Sequence, residues 1–344
     1  MTRGWLTPFG LVCLALVVAA ALFPLLTPNP YYLSVAALAF INALAAAGLN
    51  LIAGYTGQLN LAHAGFMAIG AYTVGILTVT YGMPFWPAFI LGGVVSAALG
   101  AVVGAISLRM RGQVFAIFTL CVGVIIALLI EKADWLTNGV NGIMDIPRAT
   151  QLGPISIDND IGQYELVLAF LVAGLFLMQR IVTSLVGRGF VAIRNGEALA
   201  EALGINPMRT KLLAFVLSTF YAGIAGALYA GNLRFLGPGM ASETVTFDMI
   251  TFTIVGGLGT LLGPVVGSLA IAWISQYLQA LQDYRMVVFG PVLILLIMFF
   301  PQGIVGWLET RLGRRRAARI DAALAARQET HDAGSAQIPV SPHA

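Results

Sequence analysis

The chain has 344 residues, of which 59% are hydrophobic and only 10% charged. Soluble domains carry roughly 25% charged residues, so this composition excludes a soluble globular protein and reads as an integral membrane protein. The net charge of +3 implies no nucleic-acid partner, because basic loops and a basic tail on one side of a bilayer give the same excess.

Apolar runs long enough to cross a hydrocarbon core of about 30 Å recur along nearly the whole length, without the ten-residue alternation of a β-barrel. Ten spans are expected: Phe9–Leu26, Tyr32–Ala53, Ala64–Thr80, Trp86–Ser107, Val114–Ile130, Tyr164–Val182, Leu212–Gly231, Phe247–Leu258, Val265–Leu281 and Met286–Phe300. The first continues past Ala19-Ala20-Ala21 and is read as a retained span, not a cleaved signal. With the N-terminus in the cytoplasm, the inner segments collect Arg3, Arg109, Arg111, Arg180, Arg188, Arg194, Arg209, Lys211 and the arginines from Arg311 to Arg327. The outer loops keep Lys132, Arg148, Arg234 and Arg285 among mostly acidic residues. This bias obeys the positive-inside rule and sets an even count of eight to ten spans with both termini cytoplasmic. A membrane domain of residues 1–311 is thus followed by a basic tail, 312–344, whose last part is expected to be disordered. An inverted repeat of five plus five spans fits this topology.

No Lys, Arg, Asp or Glu falls near the middle of a span, which argues against an ion-driven secondary transporter, since a titrating group has to sit on the path. Cys13 and Cys121 lie far apart inside apolar runs and read as structural thiols rather than a disulfide or metal pair. Among neutral polar residues, Asn50, Gln58, Asn60, His63, Tyr72, Thr119 and Thr251 are the candidates for a pathway lining. Gly100 with Gly104, and Gly259 with Gly263, form GxxxG pairs.

Two stretches break the helical pattern. In Gly48–Gly70, residues Gly54, Gly57, Gln58, Asn60 and His63 interrupt the apolar run. The stretch is either an ordinary cytoplasmic turn or a segment that dips back into the membrane, which non-helical backbone does only when enclosed by protein or facing a water-filled cavity. The other, Gly256–Pro264, reads as a tight cytoplasmic turn, because no strand precedes it to make a nucleotide loop. Outside, the loop from Glu131 to Gln163 carries the turn signals Asn138-Gly139 and Asn141-Gly142.

Gly187–Lys211 is a hydrophilic stretch with helical character between two apolar blocks. Asn195 is placed as the N-cap of a short helix, Glu197 in its first turn, Gly204 just past its end and Pro207 as a stop. Leu199, Ala202 and Leu203 share one face, and Arg194, Glu197 and Glu201 another. Two turns are marginal in water, so this helix is expected to dock on something. No GxxxxGK[ST], HExxH, CxxC or GxSxG pattern occurs, so no enzyme activity and no cofactor is read here, and any ATP-derived energy has to come from another subunit.

The stretches GLNLIAGYTGQLNLAHAGFMAIGAY (Gly48–Tyr72), VFAIFTLCVGVII (Val114–Ile126), AIRNGEALAEALGINPMRTKLLAFVLS (Ala192–Ser218), AGIAGALYA (Ala222–Ala230), TIVGGLGTLLGPVVG (Thr253–Gly267) and FPQGIVG (Phe300–Gly306) resemble the permease subunits of branched-chain amino acid ABC importers. The likeness is to the second of the two paired permeases. It implies an all-α polytopic permease in a bacterial inner membrane, joined to a second permease, two ATP-binding cassette subunits and a periplasmic substrate-binding protein. It also implies that the short cytoplasmic helix fits a groove on the ATPase, through Arg194, Glu197, Ala198, Leu199, Glu201, Ala202, Leu203 and Gly204. This loop departs from the general EAA pattern: Leu199 replaces the second alanine, the spacing to Gly204 is one residue longer, and the expected Pro is missing. Related importers for urea, short amides or aromatic acids share the pattern, and a self-sufficient secondary transporter or channel is the alternative from another class.

Overall fold

The computed structural model describes residues 8–278, apart from 28, 150, 153, 154, 157 and 158, together with 298, 303–308, 310 and 311. The tail 312–344 and, except for Met298, the tenth expected span lie outside the described residues.

Nine expected spans appear as helices: α1 (Pro8–Leu26), α2 (Pro30–Asn50), α3 (His63–Gly75), α4 (Phe85–Ser107), α5 (Gln113–Lys132), α7 (Asp160–Thr183), α10 (Pro207–Leu233), α11 (Glu243–Gly256) and α12 (Gly263–Leu278). Between them lie the short helices α6 (Asp134–Thr137), α8 (Leu185–Asn195) and α9 (Glu197–Ala202), and a two-residue antiparallel pair, Gln151–Leu152 with Ile155–Ser156. Counting the π turns that extend α2 and α3, six described helices are long and apolar enough to cross a membrane: Pro30–Tyr55, His63–Thr80, Phe85–Ser107, Gln113–Lys132, Asp160–Thr183 and Pro207–Leu233.

The bundle is built around α2. From Ala43 to Asn50 every side chain is buried, on all sides of the helix, and a helix that is apolar all round belongs inside. Helices α7, α10, α11 and α12 pack on it. Opposite, α4 and α5 expose Ile90, Val94, Val102, Ile117, Ile125 and Leu129, apolar surface suited to lipid.

Small residues set how close the helices come. On α10, Gly226 faces α3, where a Cβ would overlap the carbonyl oxygen of Met67, and Gly223 faces α4 at Ser96 and Gly92; a Cβ on Gly70 of α3 would overlap the carbonyl oxygen of Gly223. The Gly100 and Gly104 pair of α4 packs, as expected of GxxxG, against Thr219 and Phe215 of α10. Ser96 Oγ lies 3.0 Å from Phe66 O and 2.8 Å from Thr219 O, bridging α3 to α10. The Gly259 and Gly263 pair is no such contact. Gly259 has φ +79° and Gly263 opens α12, so these glycines make the tight turn expected of Gly256–Pro264.

The chain dips into the bundle from both ends. Residues 56–62 are irregular, and His63, where α3 begins, places Nε2 2.8 Å from Ala45 O. Ala45 precedes Tyr55 by ten residues, about 15 Å of helix at 1.5 Å per residue, so 56–62 runs back alongside α2 instead of turning at the surface. From the other end, residues 236–242 carry the buried Leu236, Met240 and Ala241 beneath the outer loop, where Leu236 pairs with Ile143. That dip shortens α11 to 14 residues, about 21 Å, which is less than a full span. The helices that follow the two dips meet, with Ala64 N of α3 donating to Thr246 Oγ1 of α11 at 3.1 Å. The outer loop itself follows its turn signals, with Asn138 at φ 62°, Gly139 at 57° and Gly142 at 71°.

Candidate functional site

The site lies where the short helices meet the basic end of the bundle. Ser184 caps α8, its Oγ accepting from Gly187 N at 3.4 Å. Phe190 and Ile193, spaced by three, are buried and fasten α8 to the bundle; each such burial is worth about 2 kcal/mol against exposure to water. Asn195 ends α8 instead of starting the next helix, which corrects the expected N-cap. The break falls at Gly196, with an extended backbone (φ 175°, ψ 105°), and α9 starts at Glu197 without a side-chain cap. The stretch is therefore two helices, because Arg188 to Arg194 continues the amphipathic run that Phe190 and Ile193 anchor.

At the far end of α9 the reading holds. Gly204 takes φ +85°, a left-handed conformation that glycine adopts without Cβ strain. Asn206 then caps α10, its Oδ1 accepting from Arg209 N at 3.0 Å with Pro207 at the first helical position. Asn206→Ala is expected to cost about 1 kcal/mol, as for other N-cap losses, seen as a lower melting temperature of the detergent-solubilised chain.

The two faces of α9 differ. Glu197 Oε2 accepts from Lys211 Nζ at 2.7 Å, and Lys211 has only 2% of its side chain exposed. Arg111, itself 78% exposed, reaches the other oxygen of Glu197 at 3.8 Å. Ala200 is buried beneath. Leu199 and Leu203 stand 67% and 73% exposed, flanked by exposed Ala198, Glu201, Ala202 and Gly204. The helix thus holds to its own chain by Glu197 and Ala200 and turns its two leucines outward. Sequence reading treated Lys211 only as one of the inner charges. Its one local signal is a lone lysine a turn inside an otherwise apolar helix.

Arg194 points the other way. Its Nη1 donates to Gly54 O at 2.6 Å, at the carboxyl end of the π turn Leu51–Tyr55 that extends α2. Asn50, 2% exposed, accepts from Gly259 N at 2.8 Å and donates to Thr260 O at 2.7 Å. The two irregular stretches singled out in the sequence therefore touch each other and the short-helix pair. Gly303 (φ +73°), from the last of the quoted motifs, packs on Gly257 in the same loop.

The remaining pathway candidates separate. Asn60, His63 and Thr119 come together in the dip: Leu61 N donates to Thr119 Oγ1 at 3.1 Å, and Asn60 Oδ1 accepts from Ala62 N at 3.0 Å. With Ala45 O as its neighbour, Nε2 of His63 carries the proton, which makes Nδ1 an acceptor. That Nδ1, Asn60 Nδ2 and the Oγ of Ser218 are buried without a protein hydrogen bond. Gln58 is half-buried at the basic end, while Tyr72 lies toward the other end with its hydroxyl 3.4 Å from Leu236 O. Thr251 bonds to Phe247 O of its own helix at 2.8 Å and joins neither group.

The chain is 30% identical over 324 residues to the high-affinity branched-chain amino acid transport system permease protein LivM of Salmonella typhimurium, covering 88% of this chain and 76% of that one. It is 29% identical over 330 residues to the LivM protein of Escherichia coli, covering 90% and 77%. With the autoinducer 2 import system permease protein LsrC of Enterobacter sp. strain 638 it shares 27% identity over 277 residues, 75% of this chain and 76% of that one. No solved structure matches. A family model described as branched-chain amino acid transport system, permease component, matches residues 31–297. That match takes in both dips, the short-helix pair and the glycine turn, and the chain belongs to this family of membrane permeases.

Proposed function

We propose that this chain is a non-catalytic permease subunit of an ATP-driven importer in a bacterial inner membrane, moving branched-chain or similar hydrophobic amino acids that a periplasmic binding protein delivers. Its partners in this reading are a second permease and two ATP-binding cassette subunits. The observation that carries it is the outward Leu199 and Leu203 pair on α9, a helix pinned to the basic end of the bundle by the Glu197–Lys211 pair. Two exposed leucines beside a glycine turn suit a shallow apolar groove on another protein. A chain without a phosphate-binding loop also needs a partner that hydrolyses ATP.

In the substrate's path, Asn60 Nδ2, His63 Nδ1 and Ser218 Oγ offer buried donors and an acceptor without a fixed charge. Such groups suit a net-neutral amino acid, which needs hydrogen bonds to both ends but no counter-charge. The similarity to an autoinducer 2 import permease supports a small polar solute as the second reading.

The test is co-expression of the tagged chain with the transport proteins encoded beside it. Leu199→Asp with Leu203→Asp is expected to abolish co-purification of the ATP-binding subunits and ATP-dependent uptake, with insertion and pairing with the second permease unchanged. ATP-binding subunits retained at the wild-type ratio would remove α9 as their docking element. Uptake of labelled leucine against ribose or a urea analogue, with the cognate binding protein, then decides the substrate class.

A further inference from the structure

We propose that Arg194 is not a docking contact but the link through which the short-helix pair moves the interior of the permease. The proposal rests on the reading of α9 as the site of ATPase attachment. A helix that ends inside a protein leaves its last carbonyls without intrahelical donors and carries the negative end of its dipole there. The extended α2 ends in this way, and the donor that reaches Gly54 O comes from Arg194, 140 residues along the chain. A charge-assisted bond of this kind is stronger and more directional than a neutral one.

Arg194 is partly open to solvent, but glycines line its side chain on two sides. A Cβ on Gly259 would stand 2.7 Å from Arg194 Nη1, and a Cβ on Gly57 would stand 3.4 Å from Arg194 Cγ. The side chain therefore runs between the 51–62 stretch and the 257–260 turn, touching both.

Asn50 lies one helical turn before Gly54 and carries the connection onward. Its amide holds the donor of Gly259 and the acceptor of Thr260 at once, so the turn between α11 and α12 follows the end of α2. Beyond Gly57 the same stretch reaches α5 through Leu61 and Thr119, and α2 again through His63. Displacing α8 and α9 therefore pulls on α2, on the turn into α12 and on the dip that holds Asn60 and His63. The Glu197–Lys211 pair ties α9 separately to α10. The link through Arg194 leads to the stretch that holds Asn60 and His63, while Lys211 shares α10 with Ser218.

The experiment uses the full importer in proteoliposomes and reads three quantities: ATP-binding subunits bound, ATP hydrolysed, and substrate taken up per ATP. Arg194→Ala is expected to keep the first two near wild type and lower the third by about tenfold or more, the change expected for losing one bond to a charged group. Arg194→Lys restores part of it, since one ammonium donor serves one carbonyl. Asn50→Leu, of similar size and uncharged, loses both bonds to the 259–260 turn and lowers uptake per ATP without placing a charge beside Arg194.

An unchanged ratio in Arg194→Ala overturns the link. So does loss of the ATP-binding subunits from that variant, which makes Arg194 a docking residue. Where Arg194→Ala fails to accumulate, Asn50→Leu decides, and uptake per ATP at the wild-type value there overturns the link as well. Failure of the docking reading is separate, because it appears in the Leu199 and Leu203 variant and not in these.

Discussion

Glu197→Ala is expected to destabilise the chain by about 3 kcal/mol, the lower end for breaking a buried ion pair. Lys211 is 2% exposed and its Nζ meets Glu197 Oε2 at 2.7 Å. Removing the carboxylate leaves an ammonium enclosed by α10 and its neighbours with no carboxylate to replace it, since no other ion pair to Lys211 occurs among the described residues. Glu197 keeps 27% of its side chain in solvent, so water softens the loss and places it below the figure for a fully enclosed pair. The Arg111 contact, 3.8 Å long and on a residue 78% exposed, contributes little by comparison.

The pair also fixes where α9 sits, so the proposed attachment of ATP-binding subunits is expected to weaken along with stability. A double-mutant cycle isolates the contribution of the pair to stability. Lys211→Met replaces the ammonium by an apolar group of similar size, and Glu197→Ala made in that background costs far less, because nothing charged is left buried. Thermal unfolding of the solubilised chain measures both steps. A cost for Glu197→Ala that is the same with and without Lys211 contradicts the buried-pair account.

How far the sequence discloses this arrangement depends on the range of the interaction. The six long described helices were legible because an apolar run of span length has one use in a bilayer. The Asn138-Gly139 and Asn141-Gly142 turns were legible because left-handed backbone selects those residues locally. The dip at 56–62 was visible as a broken pattern, but its direction rests on His63 meeting Ala45, which no local rule encodes. The opposite dip at 236–242 carries the breakers Gly237, Pro238 and Gly239, but its direction is not local, since the burial of Leu236, Met240 and Ala241 depends on Ile143 and α3.

At the candidate site the composition was readable and the orientation was not. The leucine pair and the acidic residues of α9 follow from helical spacing, but Arg194, expected on the charged face, falls in α8, and Glu201 is exposed beside the leucines. Which side turns inward is decided by Lys211, fourteen residues along and across the Gly204 turn. Asn50 and Gly259 are 209 residues apart, and only the fold brings the two broken stretches together. The helix boundary at Gly196 was misplaced for the same reason. Asn195 is a good cap by type, but the burial of Phe190 and Ile193 keeps it inside α8.

Gly226→Ala is the substitution for which local and tertiary physics disagree most. Alanine is favoured over glycine in a helix interior by about 1 kcal/mol, so α10 taken alone would be stabilised. In the bundle the new methyl would overlap the carbonyl oxygen of Met67 and press on Ala71 N, both of them backbone of α3. Neither neighbour is a side chain that can rotate away, so α3 as a whole has to retreat. Its other contacts oppose this: Gly70 is against Gly223 of the same α10, and the start of α3 is held by Ala45 and Thr246. Overpacking of this kind costs about 1–3 kcal/mol, and more when only backbone can yield. The expected result is a chain that accumulates poorly in the membrane and melts well below wild type. Gly189→Ala is the control, because its added methyl meets only Thr210 Cγ2, at 3.6 Å, within α8. There the helix preference acts unopposed, and a gain of up to about 1 kcal/mol is expected. If both substitutions shift the melting temperature in the same direction, backbone contact between α3 and α10 does not govern the packing of this bundle.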